Sequence, residues 1–208
     1  MALQRALLLL MTKACRTTST AALQVIAGTK PLDLEIIEDA LIKRIKRNIT
    51  TTWKSYEYRE KETADFEESL SVEIARIRSF IMSVWQGVWD DEIHGRDTYN
   101  FIHDVSFAIQ NRNWFVPNRF ATYLITGYGP INSTLFKRGI TDENNCPKCG
   151  EVNETRDHII FDCVDYNDIR WPEMSQYRNR RSELIMNEDI LNKFNKYAEK
   201  VFEKRNET

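Results

Sequence analysis

Three cysteines and one histidine stand close together in the second half of the sequence: Cys146, Cys149, His158 and Cys163, in the pattern C-x2-C-x8-H-x4-C. Thiolate and imidazole are the donors that Zn(II) takes at tetrahedral corners, and a C-x2-C turn offers two of them from one tight loop. Gly150 lets the backbone swing so that amides can face sulfur. Thr155 is placed to cap a helix carrying His158 and Cys163. These are five residues apart, so Cys163 sits more than a turn beyond His158 and needs a local adjustment to converge. All four positions being filled by thiolate or imidazole, no corner is left for water, and the zinc is expected to be structural. Zinc energies of about 10 to 16 kcal/mol match or exceed the roughly 5 to 15 kcal/mol net stability of a domain, so this lobe should not fold without metal. The competing readings are four unrelated residues with Cys163 simply buried, and a thioredoxin-like redox pair. The redox reading needs a strand before Cys146 and a helix after it, where Pro147 and Gly150 instead indicate a loop.

The elements that position these residues are mainly helical. Seven Gly and five Pro in 208 residues are too few for a turn-rich sandwich or barrel. Leu3, Leu7 and Leu10 place an apolar face on a first helix; the hydroxyl cluster Thr17 to Thr20 caps a second, ended by Gly28. Pro31 suits the first turn of a third, whose stripe Leu34, Ile37, Leu41, Ile45 and Ile49 predicts a long helix with Lys43, Arg47 and Lys54 on the opposite side. A charged connector, 57–65, precedes the clearest periodicity: Leu70, Ile74, Ile77, Ile81, Val84 and Val88, flanked by Trp85 and Trp89. Tyr99, Phe101, Ile102, Val105 and Phe107 need a core. Short helices are predicted from Asn118 to Leu124 and from Ser133 to Arg138, and Ile190, Phe194, Tyr197 and Val201 mark a C-terminal amphipathic helix. The expected organisation is a helical segment over 1–62, a helical connector over 63–140, a zinc knuckle over 141–171 and the C-terminal helix over 172–208.

Charge excludes a globally basic nucleic-acid binder, since 29 Lys and Arg against 31 Asp and Glu leave a net charge of -2. Any phosphate-binding surface must be local. The candidates are Arg5 and Lys13 within the acid-free first 32 residues, Lys43 and Arg47 on the third helix, and Arg178, Arg180 and Arg181. The bland alternative for Lys43 is a solvated face paired to Asp39 at four residues. The knuckle itself is a poor platform for bases: 137–163 holds four basic and six acidic residues, and Phe161 is its one aromatic. The N-terminus also has mitochondrial-presequence composition, with a packed helix as the alternative. No apolar run reaches the roughly 18 residues of a membrane span.

From Leu3 to about Arg170 the sequence resembles the C-terminal part of the Pol-like polyproteins of insect non-LTR, type-1 retrotransposable elements. The resemblance rests on Arg16 to Thr20 followed by Ala22 to Gly28 and Pro31 to Leu34; on Trp85-Gln86 with Trp89, Gly95-Arg96 and Thr98; on Leu124 to Pro130; and on the knuckle. Tyr128 departs from the pattern, where a histidine is expected between the two glycines. The resemblance implies a thumb-like helical region following a polymerase, RNA or DNA as partner, the upstream polymerase domain of the same polyprotein as neighbour, and a nuclear location. The parent it implies is an RNA-directed DNA polymerase with an endonuclease. A polymerase holds two metal ions on carboxylates, and Asp90-Asp91, the adjacent pair considered for that role, ends a helix-period stripe where capping or solvation accounts for it.

Overall fold

Long apolar-periodic stretches with few breakers form helices in the computed structural model, which describes residues 2–150, 153–174 and 181–207. Ten α-helices and one short antiparallel hairpin order as α1 Ala2–Thr12, α2 Thr20–Ala27, α3 Leu32–Ile45, β1 Thr51–Trp53, β2 Tyr56–Tyr58, α4 Thr63–Asp91, α5 Arg96–Tyr99, α6 Phe107–Gln110, α7 Arg119–Thr126, α8 Asn132–Lys137, α9 Asn167–Met174 and α10 Glu188–Asn206 among the described residues. The chain is mainly α, as its composition predicts. No described helix is long and apolar enough to cross a membrane.

The N-terminal helices follow their caps more closely than their apolar faces. Ser19 Oγ accepts the Ala22 N–H at the start of α2, leaving one fewer unsatisfied donor at the helix end. Gly28 closes that helix at φ +58°, and a Cβ there would lie 3.0 Å from the Ala108 backbone, so both its conformation and the space around it call for glycine. The face of α1 differs from the expected one. Leu8 and Thr12 are buried, whereas Leu7 and Leu10 are exposed; the side chain of Leu3 lies outside the described residues. A run of four leucines at 7–10 does not define a face by itself. Helical spacing then selects the Leu8/Thr12 side, where Gln4 also donates to the Lys30 carbonyl and accepts the Leu32 N–H.

Pro31 stands at the N-cap of α3, one residue before the first turn. The helix stops at Ile45 and does not extend to Ile49. Asn48 takes a left-handed φ of +52°, and its side-chain carbonyl accepts from Tyr58 Oη (2.6 Å) and the Lys61 N–H (3.0 Å). The following Thr-Thr-Thr-Trp run is β-branched and aromatic, which favours extended backbone, and it pairs Thr51 with Tyr58 and Trp53 with Tyr56. Part of the predicted charged connector is therefore the second strand of this hairpin. The buried row of α4 is Ile77, Ile81, Trp85 and Trp89, while Val88 is exposed. Fourfold spacing sets this row, and Val88 lies off it. The Trp89 indole donates to the Ile102 carbonyl at 2.9 Å, and Gln86 pins the same loop through His103 and Val105.

α7 packs against α10. Asn118 caps α7 and also exchanges hydrogen bonds with Asn195 of α10. The expected core residues Ile190, Phe194, Tyr197 and Val201 are buried along α10, with Leu191, Ala198 and Phe202. Phe202 stacks on Phe120 at 5.3 Å between ring centroids. At its C-terminal end Arg205 grips Glu154, a fully buried carboxylate, at 2.9 and 3.0 Å, and also reaches Asn132. Removing one partner of a buried ion pair strands the other charge. Arg205→Ala should lower stability by about 3 to 5 kcal/mol in urea unfolding of the metal-loaded chain, with part of the loss recovered on adding Glu154→Gln. A loss below about 1 kcal/mol would place the pair with weak surface bridges.

Candidate metal centre

Cys146 and Cys149 sit in the loop after α8. Gly150, at φ +74°, turns the chain so that its N–H donates to the Cys146 carbonyl at 3.0 Å. The backbone amides of Lys148 and Cys149 bond the Cys146 sulfur, and that of Asp165 bonds the Cys163 sulfur. Thr155 Oγ1 accepts the His158 N–H at 3.0 Å, as its capping position predicts.

The helix that follows solves the five-residue spacing by widening. In a regular α-helix, positions five apart differ by about 140° around the axis. Residues His158–Asp162 instead form a π-turn, and the Cys163 N–H donates to the His158 carbonyl at 2.7 Å. This i→i+5 bond is the π-helical one. It brings His158 and Cys163 to the same side, and the local adjustment anticipated from the spacing is one inserted residue.

The four ligand atoms lie within 4.8 Å of one another, and they form the sole His, Cys, Asp or Glu group able to hold a metal ion among the described residues. The Cys146 and Cys163 sulfurs are 3.8 Å apart; tetrahedral ligation with metal–sulfur bonds of about 2.3 Å places sulfurs about 3.8 Å apart. His158 Nε2 is 3.3 Å from the Cys149 sulfur, so Nε2 is the nitrogen turned to the centre. Burial pushes the Cys146 thiol up and the Cys163 thiol up to about 12. A bound divalent cation must displace these protons, which weakens its hold as pH falls. One further atom fits an ionised sulfur cluster. Among the described residues the fully buried Tyr166 hydroxyl has no hydrogen-bond partner, and it lies within electrostatic reach of Cys146 and Cys163; thiolates would supply an acceptor.

The surroundings of the centre were not legible in the sequence. Glu154 and Arg156 are both buried. Arg156 reaches the Asp97 carbonyl and carboxylate, each at 3.1 Å, and lies over Phe101. Arg181, one of the cationic candidates, is instead paired with Asp157 at 2.5 Å. Arg178 and Arg180 lie outside the described residues. Tyr197 Oη donates to the Ile159 carbonyl at 2.5 Å.

The remaining candidates fall on separate elements. Arg5 is tied to Thr20 Oγ1 and the Arg16 carbonyl, where it fastens α1 to the start of α2. Lys13 is exposed at the end of α1, with φ +55°. Lys43 pairs with Asp39 at 2.5 Å, both largely exposed, as the bland alternative has it. Arg47 is exposed in the turn after α3. Asp90 accepts from Gln86 and Tyr99, and Asp91 is exposed at the end of α4.

Comparison with known proteins gives one consistent neighbourhood. The chain is similar to the retrovirus-related Pol polyprotein from type-1 retrotransposable element R1 2 of Nasonia vitripennis, with 32% identity over 75% of this chain and 37% of that protein. The R1 Pol polyprotein of Bradysia coprophila is 33% identical over 80% of this chain and 16% of its own length. The R1 3 polyprotein of Nasonia vitripennis is 28% identical over 87% and 45%. The chain thus spans less than half the length of these relatives. No protein-family model and no solved structure matches it.

The geometry predicts uptake of one equivalent of a thiophilic divalent ion. Titration with Co(II) should give the absorption bands of a tetrahedral, thiolate-rich site that saturate at one equivalent, and Cys149→Ser should abolish tight uptake. Full stoichiometry retained in that variant would remove Cys149 from the ligand set.

Proposed function

We propose that the chain is a C-terminal accessory segment of a retrotransposon RNA-directed DNA polymerase polyprotein, holding template RNA or target DNA beside the polymerase in the nucleus. The observation that carries this reading is the similarity to R1 Pol polyproteins over three quarters or more of the chain. The ion in the centre is zinc on this reading. Three thiolates and an imidazole make a closed tetrahedral set, and such a set favours a structural ion over a catalytic one, which keeps an open position. Cys146, Cys149, His158 and Cys163 hold the loop and the π-turn in register, so the zinc supplies folding energy and no reaction step.

Charge placement supports a role for α3 and the hairpin. Between Asp39 and Glu57 the sequence contains Lys43, Arg44, Lys46, Arg47 and Lys54 and no acid. Arg44 is used internally, bonding Thr51 Oγ1 and the Thr50 carbonyl. Lys46, Arg47 and Lys54 are exposed, and Lys43 is held only by an exposed pair, the kind worth little in water. Such a cluster can neutralise phosphates despite the net charge of the chain. A second reading, a zinc-stabilised helical module that docks a protein without nucleic-acid affinity, draws on the exposed Leu7, Leu10 and Met11 of α1.

Titration of the intact, metal-loaded chain with single-stranded RNA separates the two, because the docking reading gives no measurable complex near physiological salt. On the favoured reading, Lys43→Gln with Arg47→Gln weakens RNA binding and flattens its salt dependence by about 0.7 in log–log slope per lost contact, and Lys148→Gln changes it less. An unaltered slope in the double variant would take α3 out of the interface.

A further inference from the structure

The fold brings together two stretches that contain no acid. Residues 1–32 hold Arg5, Lys13, Arg16 and Lys30, and residues 105–141 hold Arg112, Arg119, Lys137 and Arg138. They meet along a groove of about 350 Å3, lined from α1 by Met11 and Thr12, from the end of α2 by Ala27, and from the segment before α7 by Arg112, Phe115 and Val116. No carboxylate lines it. Arg119 follows two residues after Pro117, another lining residue. Cys15, three residues beyond Thr12, has Arg119 and Arg138 within electrostatic reach and no acid among the groups that act on it. Lys13, Arg112, Arg119 and Arg138 are all exposed. Among the described residues none of the four is in a salt bridge, and the one side-chain hydrogen bond, from Arg119 to Tyr123 Oη, goes to a neutral group and leaves the charge uncompensated.

We propose that this groove is a second nucleic-acid contact, in which a base of a single strand lies against the apolar lining and the flanking phosphates are met by Lys13, Arg112, Arg119 and Arg138. The inference rests on the nucleic-acid reading given above and adds to it a site that neither stretch reveals alone. Complementarity selects the occupant. In a chain with more acids than bases, a groove with no acid in its lining and exposed cations beside it is matched to a polyanion. Its apolar lining, with the exposed Met11 and Val116, suits a base face and offers nothing to a bare phosphate. A single strand has both features at the spacing of one nucleotide, and a duplex keeps its base faces stacked away.

The test uses the metal-loaded full chain with fluorescent oligo(U) RNA and oligo(dT) DNA of 12 nucleotides. Arg112→Gln with Arg138→Gln should lower the log–log salt slope by about 1.4, so that the affinity lost between 0.05 and 0.2 M salt is about sevenfold smaller than for the unchanged chain. Arg112→Lys with Arg138→Lys keeps the charge and should keep the slope, which separates a lost contact from a lost fold. With the other three cysteines on the metal, Cys15 is the free thiol, and bound strand should slow its alkylation by a maleimide in the parent chain but less in the Gln variant. RNA binding with an unchanged slope in the Gln variant and unprotected Cys15 would overturn the groove while leaving α3 in place. Equal affinity for polyglutamate of matched charge would reduce it to a plain anion surface and also overturn it. Failure of the intact chain to bind either strand would overturn the parent reading and this one together.

Discussion

A carboxylate with no access to water needs a cation and hydrogen-bond donors, and Glu154 is such a carboxylate. Its oxygens accept from Arg205 at the end of α10 and from the Asn132 N–H at the start of α8. Its backbone N–H donates to the Asn144 carbonyl just before the cysteine loop, and its carbonyl accepts from Ser133. One residue, four positions ahead of His158, thereby fixes the last helix, the approach to the cysteines and the start of the π-turn relative to one another. Two further polar contacts of α10, Tyr197 to Ile159 and Lys204 to Asp168, repeat the same attachment at other heights. The four candidate metal ligands converge inside a frame that this pair holds.

The frame explains why the knuckle is no independent bead. Arg156 leaves the ligand-bearing segment to reach Asp97 in α5, and Cys146, Cys163, Ile159 and Ile160 belong to the same buried cluster as Trp85 and Phe194. The centre is therefore coupled mechanically to the helical body. An ion held there stabilises the placement of α10 as well as the short loop that contacts it.

Much of this was legible in the sequence because it is local. C-x2-C and H-x4-C declare their donors; Ser19, Asn118 and Gly28 declare helix ends; and the apolar periodicity through Ile77 and Ile81 declares a buried helix, though it set Val88 on the inner face where Trp85 and Trp89 belong. What escaped is set by pairings across the chain. The hairpin at 51–58 follows from Asn48 meeting Tyr58 and Lys61, and six residues of β-branched and aromatic character are too short a signal against a helical stripe that runs up to them. Likewise α1 offers leucines on every side, and only the partner helix decides that Leu8 is the inner one. Glu154 and Arg205 are ordinary surface letters until 50 residues of chain fold back.

That return has a consequence in time. α10 leaves a ribosome after its partners, α7 and the ligand-bearing turn, which are complete tens of residues earlier. At synthesis rates of about 5 to 20 residues per second, the 19 residues of α10 take on the order of one to four seconds to appear. Throughout that interval Phe120 and Tyr123 lack the Phe202 ring that packs on them, and the thiols are formed before the clamp that seats them. Nascent chain in this window presents sticky apolar surface and ionisable sulfur together, and an ion held by the four candidate ligands at that stage would shorten its exposure to aggregation and oxidation.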